Sequence, residues 1–148
     1  VNKADQVRQL VKGIQLDVKG YQQLKSLLKF QRELMQRRDI DGLEQHNPRQ
    51  DKLCQSLTAN ARTRSSILQS LGLPEDDKGM NRLLAAIPGE SGKKVSLIWQ
   101  QLQQLVVHCK AENDANGRLL SGQQRTLNRL VNPDAEAARQ NDYGATRP

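Results

Sequence analysis

From Val95 to Leu130 the chain keeps one unbroken beat. Val95, Trp99, Leu102, Val106, Cys109, Asn113, Asn116, Leu120, Gln123, Leu127 and Leu130 follow one another in steps of four or three. An α-helix gathers that spacing onto one face, whereas a strand needs steps of two. A stripe this long can be buried only by laying the helix against other helices. Ile98, Leu105 and Leu119 widen the stripe on one flank, so the helix is expected to touch more than one neighbour. In its middle stands Asn116-Gly117, a dipeptide that usually marks a turn. Because the beat passes through it unchanged, the helix is expected to continue, accepting about 1 kcal/mol for Gly117.

A second seam runs through the N-terminal third as Val7, Leu10, Ile14, Tyr21, Leu24, Leu28 and Met35. Asp17 and Gln31 occupy seam positions where carbon is expected, and Lys12, Lys19, Lys25, Lys29 and Arg32 lie off the seam. Gly13 and Gly20 predict a frayed or bent first half, since each costs about 1 kcal/mol against Ala. The stretch RDIDGLEQHNPRQ over 38–50 reads as a break, with Asp39 capping a short turn and Asn47-Pro48 starting the next helix. That helix carries Leu53, Leu57, Asn60, Arg64, Ile67 and Leu71, and it stops at Gly72 with Pro74 just beyond. NRLLAAIP is a short apolar helix ended by Pro88.

The expected fold is all-α: an antiparallel helical hairpin or coiled-coil-like bundle of three long helices and one short one. Helices are predicted over about 4–38, 48–71, 79–87 and 92–131, in a single domain over 1–131. The segment 132–148 lacks periodicity, its only large apolar side chain is Tyr143, and it reads as a flexible tail. Composition agrees with thin helical layers. Of the 148 residues, 36% are hydrophobic but only 3% aromatic, and a leucine-rich seam needs few rings.

Several chemistries are disfavoured. The net charge of +7 raises nucleic acid, but the longest Lys/Arg runs are pairs, and stacking aromatics are few and dispersed. GESGKK has the wrong spacing for a phosphate loop, puts Lys94 where Ser or Thr belongs, and follows no strand. Cys54 and Cys109 form no CxxC, and His46 and His108 have no partner at metal or triad spacing. No apolar run approaches the roughly 20 residues that span a bilayer. The reading is a cytoplasmic protein that is not an enzyme, with no cofactor, metal or small-molecule substrate.

What remains is a protein that offers helical surfaces. Asn113, Asn116 and Gln123 form a polar block on the long helix. Buried amides of this kind fix register and partner, because each unmet one is penalised by roughly 1–3 kcal/mol. If the last helix outruns the first two, Leu119, Leu120, Leu127, Leu130 and Val131 are left partly uncovered, a natural dock for another helix.

Asn113, Asn116, Gly117, Leu119 and Leu120 form an Asn-x-x-Asn-Gly-x-Leu-Leu block, continued by Ser121-Gly122-Gln123, Leu127 and Leu130. In this block the C-terminal third resembles the signature of the FlgN-type flagellar export chaperone family. Arg62, Ile67, Leu68, Leu71, Gly72 and Leu73 are similar to its leucine-rich middle-helix end, and Lys52-Leu53, Trp99 and Tyr143-Gly144-Ala145 are similar to further elements. The resemblance covers the chain from about Leu24 onwards.

The resemblance implies a chaperone for hook-filament junction (hook-associated) proteins. It would bind the client's C-terminal helical segment, prevent premature association, and deliver the client to the cytoplasmic domain of the membrane export-gate protein. Asn113, Asn116, Gly117, Leu119, Leu120, Leu127, Leu130 and Val131 are the implied client-binding residues, and Tyr143 the implied export-gate contact. Two alternatives stay open: a self-associating coiled-coil adaptor, closing the stripe as a homodimer, and a nucleic-acid binder using the basic first helix.

Overall fold

A computed structural model describes the chain from Asn2 to Val131, with side chains as far as Gln123. Four helices follow in order: α1 (Lys3–Gln36), α2 (Ile40–Ser70), α3 (Asp77–Ala86) and α4 (Gly89–Val131). The all-α fold of long packed helices is as expected. α1 is the central element, packed along both α2 and α4, and the short α3 lies on α4.

α1 and α2 form the antiparallel hairpin. Gln6 near the start of α1 meets Ser70 at the end of α2, while Gln31 near the end of α1 meets Asn47 near the start of α2. The turn between them is tighter than expected. Arg38 takes a left-handed φ of 56°, and the Asp39 side chain accepts from the Gly42 amide at 2.9 Å, capping the whole of α2 rather than a separate turn. The predicted break at 38–50 is therefore a correction: α2 runs helically through Pro48.

An internal proline removes one helical hydrogen bond and strains the preceding turn, by about 3 kcal/mol or more. Here the proline faces solvent, as does Glu44, whose carbonyl loses its amide partner. The residues on either side are held by two tertiary bonds, Asn47 to Gln31 and Gln50 to Gln31, and His46 is tied to Gln50 within α2. Those contacts supply what the local grammar withholds.

α1 is one continuous helix, so the fraying predicted from its glycines is also corrected. Gly20 has a packing reason, because a Cβ there would meet Leu57 Cδ2 at 2.8 Å. It lets α2 approach α1 closely. Gly72 and Gly89, with φ of 74° and 70°, take the left-handed conformation that closes α2 and opens α4.

The main core lies at the end where α1 starts. Leu10, Ile14 and Val18 of α1 meet Ile67 and Leu68 of α2, Met80, Leu83 and Leu84 of α3, and Val95, Trp99 and Leu102 of α4. A second, smaller cluster joins Leu24, Leu28, Leu57 and Cys109 midway along the bundle. The seams predicted for helices 1 and 2 supply Leu10, Ile14 and Ile67 to the first cluster and Leu24, Leu28 and Leu57 to the second, while Val18 and Leu68 lie beside them. No helix among the described residues is long and apolar enough to cross a membrane.

Candidate functional site

α4 runs parallel to α1 at a constant register. The Cys109 thiol donates to the Tyr21 carbonyl (3.5 Å), the Asn116 amide to the Leu28 carbonyl (2.9 Å), and the Gln123 amide to the Met35 carbonyl (2.6 Å). Each pair is separated by 88 residues, and successive pairs are one heptad apart. A ladder of that spacing keeps one face of α4 turned to α1 through two heptads, the repeat on which coiled helices pack. The last rung gives the Met35 carbonyl, which already accepts from the Arg38 amide, a second donor at the end of α1.

Asn116 is the most heavily bonded residue of the predicted site. It is 3% exposed. Its Nδ2 also donates to Gln31 Oε1 at 3.0 Å, and its Oδ1 accepts from Arg32 Nε at 2.9 Å. Arg32 in turn pairs with Glu112. Gln31, the polar interruption in the first seam, accepts from Gln50 Nε2 and donates to Asn47 Oδ1. The chain of bonds ends at buried His46, whose Nε2 lies 2.9 Å from Gln50 Oε1. One polar layer thus ties α1, α2 and α4 together.

The other polar interruption, Asp17, builds a second layer in the same way. It is 1% exposed, accepts from Asn60 Nδ2 at 2.9 Å and pairs with Arg64 at 2.7 Å. The Arg64 guanidinium lies 5.3 Å from the Trp99 ring centroid, so this layer also reaches α4. Polar residues in one seam find polar residues in the next, a pairing visible only once the helices are laid side by side.

The remaining predicted residues divide between inside and outside. Leu119 is half-buried, whereas Asn113, Gly117 and Leu120 are exposed, Leu120 to 45%. The predicted stripe therefore takes the wrong flank at three positions. Leu105, Glu112 and Leu119 turn toward the bundle, and Val106, Asn113 and Leu120 turn away from it. Asn113 is not part of the polar block inside the seam. Around Gly117 there is open space, since an added Cβ would find nothing within 4 Å. α1 ends at Gln36, one residue past the partner of Gln123, while α4 continues to Val131, roughly 12 Å further. Leu127, Leu130 and Val131 belong to that continuation, their side chains lying outside the described ones, and Tyr143 lies outside the described residues altogether.

Burial pushes the Cys109 and Cys54 thiols above their ordinary value, with Asp51 adding to the effect at Cys54. Nucleophilic thiols require the opposite shift. Among the described residues no group of His, Cys, Asp and Glu could hold a metal ion. What this geometry offers is a long exposed helical face backed by a locked inner one.

A sequence model of the FlgN protein family matches residues 6–146. The chain belongs to the FlgN family. This places it in a family of flagellar chaperones, as the resemblance in the C-terminal third implied. A solved structure is also similar, that of a Pseudomonas aeruginosa protein provisionally assigned as the flagella synthesis protein FlgN. It shares 26% identity and superposes with a TM-score of 0.68, covering 75% of this chain and 85% of that one. A search of curated proteins returns no match. The residues read as resembling the family's signature thus split in this chain: Asn116 is turned onto α1, Leu119 is half-buried, and Asn113, Gly117 and Leu120 face solvent.

Proposed function

We propose that this FlgN-family protein is a cytoplasmic export chaperone that binds the C-terminal helical segment of hook-filament junction proteins. It keeps them from associating early and delivers them to the export gate. The observation that carries this reading is the outer face of α4, where Leu120 is exposed beside the open space at Gly117 on a helix that outruns α1. A client helix laid there would bury Leu120 and approach the backbone at Gly117, with Leu127, Leu130 and Val131 extending the contact and Leu119 lining its edge. Asn116 acts from behind by holding α4 in register, and Asn113 sets the polar border. Helix-in-groove docking of this kind gains from buried apolar area and loses to the ordering of the client. Tyr143 is the proposed contact to the gate protein.

Co-expression with a junction protein, intact and lacking its last few dozen residues, tests the reading by size-exclusion chromatography. Co-elution of the intact client alone is expected. Equal behaviour of both forms would sink it. Val106 and Val107, 36% and 69% exposed on the same helix, support a second reading in which two copies pair as a coiled-coil adaptor. Light scattering on the free protein separates the two, since the adaptor is a stable dimer and the chaperone takes its client as a monomer.

A further inference from the structure

The positive charge of this protein is concentrated on its central helix. Of the net +7, α1 and the Arg37-Arg38 pair after it supply nine Lys and Arg against Asp5, Asp17 and Glu33. Asp17 is turned inward to Arg64. Arg8, Lys12, Lys19 and Phe30 follow at intervals that keep them within about 40° of one another on an α-helix, and all four are exposed. Leu16, 52% exposed, and Lys29 flank the line. The row is roughly 30 Å long. Arg8 pairs only with exposed Asp5, and Lys12, Lys19 and Lys29 have no ion-pair partner among the described residues. Phe30, 46% exposed, leans on the buried His46 ring at 5.4 Å between centroids. Its inner neighbour is locked by Gln50, so the phenyl ring is held at the surface.

We infer that this edge of α1 docks on an anionic lipid surface, with the lysines at the headgroup phosphates and Leu16 and Phe30 at the boundary with the acyl chains. Charge complementarity favours any polyanion, but two apolar side chains, Leu16 between Lys12 and Lys19 and Phe30 after Lys29, distinguish the partner. They gain by entering a bilayer interface and have nothing to bury against the backbone of a nucleic-acid duplex. A straight row on a long helix also suits a planar surface. The inference does not depend on client binding, since it uses α1 and not the outer face of α4.

The test is co-sedimentation of the full chain with vesicles of phosphatidylcholine alone and of phosphatidylcholine with one-quarter phosphatidylglycerol, alongside titration of a short DNA duplex at the same salt. Binding to the anionic vesicles alone is expected, weakening as salt rises. The Lys12→Glu/Lys19→Glu variant should lose at least about tenfold in affinity for them. Phe30→Ser should lose severalfold, with helical content by circular dichroism unchanged in both. Absence of binding to anionic vesicles, equal binding to both vesicle types, indifference to the lysine reversals, or tighter binding to the duplex would overturn the inference. Client co-elution by Lys12→Glu/Lys19→Glu is expected to be unchanged, so the two proposals fail separately.

Discussion

Asn116 of α4 donates to the backbone carbonyl of Leu28 on α1 across 2.9 Å, at the middle rung of a ladder that repeats every heptad. Two parallel helices faced with leucine could slide by a heptad and still bury carbon. A buried amide with three partners cannot, because every other register leaves its donors and acceptor unmet.

Replacing Asn116 with Ala removes those three bonds and leaves Gln31 and Arg32 with fewer partners. The expected loss is about 1–3 kcal/mol in chemical denaturation. Asn116→Leu should recover part of the stability while broadening the amide NMR lines of α4, since apolar contact alone does not select the register. Sharp, wild-type-like spectra for Asn116→Leu would refute the register role.

The Asp17–Arg64 pair behaves differently from a surface ion pair because Asp17 is 1% exposed. Asp17→Ala leaves Arg64 and Asn60 facing a cavity, at about 3–5 kcal/mol by the precedent of buried pairs broken on one side. The double variant Asp17→Leu/Arg64→Met should be much less destabilised than Asp17→Ala, and a double-mutant cycle in urea measures the difference. Additive losses would contradict the coupling.

Gly117 separates stability from binding. Its surroundings are open, so Gly117→Ala should raise the melting temperature, gaining about 1 kcal/mol from helix propensity. If a client helix approaches the backbone there, the same variant should bind the client more weakly. A more stable protein with undiminished client affinity would move the docking surface elsewhere.

Alkaline pH should loosen the middle of the bundle. Burial raises the Cys109 and Cys54 thiols above 9.0, and burial together with Asp17 raises Tyr21 above 10.0. The folded state therefore holds these protons more tightly than the unfolded chain. Their contribution is complete below about pH 9 and is lost as pH rises through the folded values. Melting temperatures from pH 7 to 10.5 should fall above pH 9, and Cys109→Ala should flatten that fall whatever it does to the neutral-pH value.

Much of the fold was legible because helical periodicity is a local property. The three-four spacing of apolar residues located three long helices and one short one, and continuity across Asn116-Gly117 followed from the same beat. The Pro48 region was misread because proline speaks for a helix start in local terms. The bonds that hold the helix together there come from Gln31, sixteen or more residues away in sequence. Asp17 and Gln31 were legible as anomalies, yet their partners were not, since nothing local says which polar residues of α2 and α4 will lie opposite.

The sequence by itself therefore determined that the chain is helical, where its apolar stripes run, and that Asn116 occupies an inner position. Only the tertiary structure decided which flank of the α4 stripe faces inward. Steps of three and four describe Leu102, Leu105, Cys109, Glu112, Asn116 and Leu119 as well as they describe Leu102, Val106, Cys109, Asn113, Asn116 and Leu120. A helix turns 3.6 residues per revolution, so two adjacent stripes share half their members, and only the neighbouring helix selects between them. α1 selects the first, and Val106, Asn113 and Leu120, which belong to the second alone, are left at the surface.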